Sequence, residues 1–416
     1  MKTFPLISSV MSLMLFNTFA HAQVMAIETP GLLPTPVVRH LLAQDPLVNA
    51  AQAGLDAARQ EAGLLQASPY EWTAKITAQR RTTQNEATSR EWNAGIERGI
   101  RMPAKAAADR QMSSAVLAEA EAQYGAALHV TARDLLKLWL DWLASEQALQ
   151  LASQHRLSVQ ENLLIVEKRV KAGDVAKLDI NLAQAELAEQ KRSETEARVQ
   201  VQIAWGRLHA RFPGFDRQHN NLPAAGQLRY EASLWRARIL SQSDDLKIAL
   251  AQFDKSQAQA GQARAEQTPD PVIGVFTASE AGGRERLSGI SISLPFSLGM
   301  RSQRAAKSSH LANMSRYELE LKKRQLEADI HASIAYAEGQ YEGLQLAENS
   351  LVATQNNARL LQRAYTLGEI ELQALLAARR QATSAAQNTL VARVSASMAY
   401  YSLLADAHLI WDLQHE

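Results

Sequence analysis

Residues 104–172 contain no proline and one internal glycine, Gly125, and are rich in Ala, Leu, Glu and Gln. As one continuous helix this stretch would reach about 100 Å at ~1.5 Å rise per residue. No ordinary globular core needs such a length, whereas bundles of long, coiled-coil-like helices do. The stretch ends at Val-Lys-Ala-Gly173-Asp174-Val175, and a second helical pattern follows, with Leu178, Leu182 and Ala185 along its seam to about Arg211. Glycine ends a helix cheaply because it adopts a left-handed backbone. The acidic residue after it suits the opening turn of the next helix, where the dipole favours negative charge. The segment therefore predicts a tight turn between two antiparallel helices.

The same arrangement recurs about half a chain later. Another long helical pattern over residues 301–367 ends at Tyr365-Thr-Leu-Gly368-Glu369-Ile370, and a helix to about Ala405 follows. A repeat of that length is too long for a solenoid unit and predicts an internally duplicated chain. Each long helix is preceded by a change of period. Trp72, Ala74, Ile76 and Ala78 alternate with Thr73, Lys75, Thr77 and Gln79, and Trp92, Ala94 and Ile96 alternate with Glu91, Asn93 and Glu97. In the second half, Ile290, Ile292, Leu294 and Phe296 alternate with Gly289, Ser291, Ser293 and Ser297, after a strand over residues 272–278. Period two with one apolar face is the mark of a strand. Pro295 ends the last strand or sets it near a rim. Asp45-Pro46 opens a first helix, with a capping acid and a proline at its first position. A corresponding helix is expected from about Ser243 to Glu266.

Chemistry is excluded more readily than assigned. The 416 residues include no Cys, which removes disulfides, thiolate metal sites, catalytic thiols and lipid attachment to an N-terminal Cys. A formal charge of +1 argues against a nucleic-acid partner. The ten His are scattered without metal-ligand spacing, and His155, His310 and His331 read as polar helix residues. Neither a phosphate-binding glycine loop nor a nucleophile motif occurs, so no catalytic residue and no cofactor is expected. Lys2, an apolar run over residues 6–19 and Ala20-His21-Ala22 read as a cleaved secretory signal over residues 1–22. Beyond it no apolar run is long enough to span a bilayer as a helix, so any membrane span must be made of strands. The expected organisation is a signal over 1–22, an extended segment over 23–40, a first repeat over 41–212 and a linker over 213–230. A second repeat over 231–407 and a C-terminal tail over 408–416 complete it.

This order of elements resembles the outer-membrane efflux protein family, the TolC-like channels. The resemblance rests on the two glycine hairpins, the strand pair after each first helix, and the segments Pro269-Asp-Pro-Val-Ile-Gly and Gly289-Ile-Ser-Ile-Ser-Leu-Pro-Phe. It implies a mixed α and β membrane protein. Long helical hairpins would form an α-barrel, and four strands per protomer would complete a trimeric transmembrane β-barrel. Trp72, Ile76, Trp92, Ile96, Ile290, Ile292 and Phe296 would face outer-membrane lipid. Gly173, Asp174, Val175, Tyr365, Gly368, Glu369 and Ile370 would form the periplasmic tip and meet a periplasmic adaptor. The inner-membrane pump beyond it is expected to be of the resistance-nodulation-division type. The family often narrows its tip with acidic residues. Asp179 occupies one such position and Ala374 the matching one, so the resemblance implies a single carboxylate ring, helped by Asp174, Glu369 or Glu371. The segment from Pro269 to Pro295 is similar to the CzcC-like branch associated with heavy-metal cations, with drugs or other small molecules as the alternative cargo. A periplasmic coiled-coil adaptor or scaffold without a channel is the competing reading of the whole chain.

Overall fold

The computed structural model describes residues 30–411 except 83, 85–87, 215–216, 218–220, 230 and 297–298. The expected signal over 1–22 and the last residues of the tail lie outside the described residues. Two successive sets of elements have the same order. The first is α1 (Thr35–Ala43), α2 (Pro46–Gln66), β1 (Thr73–Arg81), β2 (Ser89–Gly99), α3 (Pro103–Ala172) and α4 (Lys177–Arg211). The second is α5 (Ala232–Gln242), α6 (Asp244–Ala265), β3 (Val272–Glu280), β4 (Glu285–Ser293), α7 (Met300–Leu367) and α8 (Leu372–Asp406).

Local chemistry explains most boundaries. Asp45 caps α2, its Oδ1 accepting the Leu47 N–H at 2.8 Å, with Pro46 inside the first turn. Ser243 caps α6 by accepting from the Leu246 N–H at 3.3 Å. Gly173 and Gly368 close α3 and α7 at φ +82° and +79°. In each case the glycine N–H and the next N–H turn back to the last helical turn, to Val170 and Arg169 and to Tyr365 and Ala364. That is the paired Schellman arrangement, which satisfies carbonyls the helix leaves open.

Helices α1 and α5 correct the sequence reading. Residues 35–40 were expected to be extended and instead open α1, because Pro34 and Pro36 fall at positions where a helix does not need their missing N–H groups. Helix α5 has only 11 residues and buries only Trp235 and Ile239, so its periodic signal is short.

The 70 residues of α3 run from the sheet to the hairpin tip. Helix α2 lies along its sheet-proximal half, and α4 returns along its other half. Helix α8 returns along α7 in the same manner, and α6 lies against both α3 and α7. The main core sits at mid-length, where Leu135, Leu136, Trp139, Leu140, Trp142 and Leu143 of α3 meet α1, α4, α5 and α8. The Trp139 Nε1–H donates to the Gly31 carbonyl and that of Trp411 to the Leu33 carbonyl, both at 2.8 Å, which ties the first described residues into this girdle. The expected irregular tail is irregular but packed in: Leu409, Ile410 and Trp411 are buried.

The four strands make one antiparallel sheet in the order β1-β2-β3-β4. The central pairing joins the two sets, with Ile96 opposite Val275 and Trp92 opposite Ser279. No described helix is long and apolar enough to cross a membrane.

Candidate channel site

Register divides the sheet into two unlike faces. Ile76, Ala94, Thr277 and Ser288 form one cross-sheet row, and Ala74, Ile96, Val275 and Ile290 the next. Ile273 and Ile292 extend this face toward the helices, where Arg98 shares it and lies 5.4 Å over the Trp72 ring. At the other end it carries Arg80, Arg90 and Arg286. Its apolar side chains are open within one chain: Ile76 is 79 % exposed, Ile290 73 % and Ile292 69 %. Two of the residues named from sequence fall outside the strands. Trp72 immediately precedes β1, and Phe296 follows β4. Pairing stops at Ser293 opposite Val272, where Pro271 and Pro295, which have no N–H to donate, flank the last pair.

The opposite face carries Lys75, Thr77, Gln79, Glu91, Asn93, Glu97, Ser291 and Ser293. Part of it forms a hollow of about 350 Å³. Glu91 is buried there, accepting from Gln79 Nε2–H at 2.9 Å and pairing with Arg81 at 3.2 Å. Gly95, Gly274 and Gly289 all lie on this face. A Cβ on Gly289 would come within 2.8 Å of the Phe276 ring, and one on Gly274 within 2.7 Å of the Ser291 hydroxyl. Glycine is thus what lets Phe276 lie flat across the face. The alternation of Val272 to Ala278 did not reveal this ring on the polar side. Among the described residues of one chain, β1 and β4 each have a single neighbour, so both outer edges of the sheet lack a partner strand.

Between sheet and helices lies an ionic knot that the sequence reading passed over. Arg101 holds Asp109 with two bonds of 2.8 Å and also pairs with Glu266 and, at 3.2 Å, with Asp270. Lys105 is 2 % exposed and lies 3.0 Å from Asp270 and 2.8 Å from Glu266. The Tyr70 hydroxyl and the Met102 N–H also donate to Asp270, at 2.6 and 2.9 Å. Burial pushes the Asp270 carboxyl up, but these donors and cations outweigh it and hold the pKa at about 2. The available signal was Asp270 itself, set between Pro269 and Pro271.

At the far end of the helices, Gly173, Asp174, Gly368 and Glu369 are exposed on the two turns, and Val175 and Ile370 are partly covered. Tyr365 does not share that exposure. It is 1 % exposed and packs with Val166, Ala183, Leu372, Leu375 and Leu376. Arg169 of the first hairpin reaches across to the second. Its Nη1 donates to the Tyr365 carbonyl at 2.8 Å, and its guanidinium lies 4.7 Å over the Tyr365 ring. Burial pushes the Tyr365 hydroxyl up, Arg169 opposes this and the Asp179 carboxylate adds to it. Asp179 is half-buried in the first turn of α4 and so belongs to the same neighbourhood as the Arg169–Tyr365 contact. The family resemblance singled out Asp179, but nothing in the sequence joined Arg169 to a residue 196 positions away.

The outer membrane efflux protein family model matches residues 37–211. No curated protein matches the chain in sequence. Among solved structures, CusC aligns with a TM-score of 0.74 and 16 % identity, over 92 % of this chain and 97 % of CusC. The outer membrane protein VceC of Vibrio cholerae aligns with a TM-score of 0.73 and 14 % identity, over 90 % of this chain and 96 % of VceC. The open-state outer membrane channel MtrE of Neisseria gonorrhoeae aligns with 0.72 and 17 % identity, over 92 % of this chain and 90 % of MtrE. At these identities the likeness is one of fold. Residues 37–211 thus match the outer membrane efflux protein family model, and the chain as a whole has the fold of the outer-membrane proteins it aligns with.

Proposed function

We propose that this protein is the outer-membrane exit duct of a tripartite efflux system. The sheet lies in the outer membrane and the helices extend through the periplasm. The observation that carries this reading is the two-faced sheet with two unpartnered edges, joined to helices of 70 and 68 residues. In lipid an open edge leaves backbone groups without partners, so the sheet must close on other copies. Three copies supply twelve strands. Trp72, Ile76, Trp92, Ile96, Ile290, Ile292 and Phe296 then meet lipid, while the Lys75, Glu91 and Glu97 face lines the pore. The repeated element order supports an origin by duplication, with boundaries near residues 212 and 231.

In this reading the exposed turns at Gly173–Val175 and Gly368–Ile370 receive a periplasmic adaptor, and a pump of the resistance-nodulation-division type supplies the energy. Tyr365 contributes from beneath, by holding the two hairpins together through Arg169. The Asp179 carboxylates gather near the axis and draw in cations. Heavy-metal cations are the proposed cargo. The resemblance of the Pro269–Pro295 segment to the CzcC-like branch supports this.

The test is conductance of the purified protein in a planar bilayer, with and without millimolar divalent cations. Discrete, long-lived channels blocked by divalents are expected, with the block relieved in Asp179→Ala. A correctly extracted trimer that conducts neither as wild type nor after Arg169→Ala, which unfastens the hairpins, overturns the duct in favour of an adaptor or scaffold.

A further inference from the structure

Two imidazoles from distant parts of the chain meet a carboxylate at mid-length of the helices. His129 comes from α3, Asp244 is the first residue of α6, and His408 follows the end of α8. The two rings stack with centroids 5.3 Å apart and planes inclined by 15°. Nδ1 of His129 lies 3.9 Å from Oδ2 of Asp244, and Nε2 of His408 lies 3.7 Å from the same oxygen. One ligand atom from each residue lies within 4.8 Å of the others. These separations are too long for hydrogen bonds. Both ring nitrogens of His408 are shielded from solvent and neither has a hydrogen-bond partner. A buried polar atom without a partner is costly. Metal–ligand bonds of about 2.0–2.1 Å place tetrahedral ligand atoms roughly 3.3–3.5 Å apart, so the three side chains would draw together around an ion.

The backbone at His408 is a second, independent sign. The His408 N–H donates to the Ala405 carbonyl at 3.0 Å and the Leu409 N–H to the Leu404 carbonyl at 2.8 Å. This is the same helix ending that closes α3 and α7, where the residue in the left-handed position is Gly173 or Gly368. In α8 that position is His408, at φ +51°. A side chain there is strained where glycine would not be.

The surrounding groups are arranged as ligand supports. Asp406 Oδ1 lies 3.3 Å from Nε2 of His129 and is fixed by Arg133 at 3.0 Å. An Nε2–H donated to Asp406 leaves the Nδ1 lone pair facing Asp244, the carboxylate–histidine pairing that orients metal-bound imidazoles. Lys247 occupies Oδ1 of Asp244 at 3.0 Å and leaves Oδ2 free. A cavity of about 230 Å³ adjoins the cluster and has room for a water as fourth ligand. The 279 positions between the two histidines explain why no ligand spacing marks them in the sequence.

We propose that His129, Asp244 and His408 bind one divalent transition-metal cation of the zinc type, which fastens the end of α8 to α3 and α6. The full-length protein in detergent, stripped with a chelator, is titrated with zinc ion and separately with cobalt ion. One equivalent per chain, a tetrahedral cobalt spectrum and a melting temperature raised by zinc are expected. His408→Gly removes a ligand while placing the residue that the backbone prefers. It is expected to melt at least as high as the metal-free wild type, to lose the zinc-dependent rise and to bind about 100-fold more weakly. Asp406→Asn, which removes only the support of His129, weakens binding by about tenfold. Absence of a saturable equivalent in the wild type, or zinc affinity unchanged in His408→Gly, overturns the site. Binding is read in solution and does not depend on whether the channel conducts.

Discussion

Asp270 shows how a single side chain can join two kinds of architecture. It takes bonds from the α2–β1 connection through Tyr70, from the start of α3 through Met102 and Lys105, and from the β2–α3 connection through Arg101. Asp270→Asn leaves Lys105 buried against reduced charge, and a loss of about 3–5 kcal/mol is expected in denaturant or thermal unfolding. The pH dependence follows from the direction of the shift. The folded pKa of about 2 lies below the ordinary 3.8, so the contribution is complete above about pH 4 and disappears as pH falls toward 2. An unfolding profile flat across that window would remove Asp270 from the knot. At the other end, Arg169→Ala deletes both the bond to the Tyr365 carbonyl and the stacking on its ring. Looser hairpins are expected, read as raised single-channel conductance with the melting temperature little changed. Turn glycines were legible from sequence because few residues tolerate that backbone. The partners of Asp270, Arg169 and His408 were not, since each contact spans a large part of the chain.

Among the elements, strands were legible by alternation and long helices by the absence of breakers. Their exact ends were set by pairing: Leu294 and Phe296 keep the alternation, yet the ladder has already stopped at Ser293. Short α1 and α5 escaped notice because prolines and a two-residue buried face give little periodic signal. The faces of the sheet allow a direct test. Ile290→Lys and Ser291→Lys change adjacent positions of β4 that point to opposite sides. The first is expected to cost about 2–4 kcal/mol in the membrane and to reduce assembly, whereas the second alters ion selectivity with assembly intact. Equal losses of assembled protein from both would contradict the assignment of faces. Replacing Gly173 or Gly368 by Ala forces a left-handed Cβ, at a cost of about 1–2 kcal/mol, seen as a lower melting temperature.

For the whole molecule, the proposed closure of the β1 and β4 edges on other copies makes assembly part of folding. The protein is expected to run in outer-membrane fractions as a trimer that resists SDS at room temperature and dissociates on boiling; a monomer under mild extraction would leave those edges unexplained. The mid-length girdle has a mechanical meaning as well. Helices α3 and α7 are continuous rods gripped near their centres by Trp139, Trp142 and Ile334, with one arm toward the sheet and one toward the turns. A rod held at its middle is a lever with a fulcrum. In the proposed assembly, displacement of the tip arm would bend the rod at the grip and leave the closed hoop of strands beyond it in place.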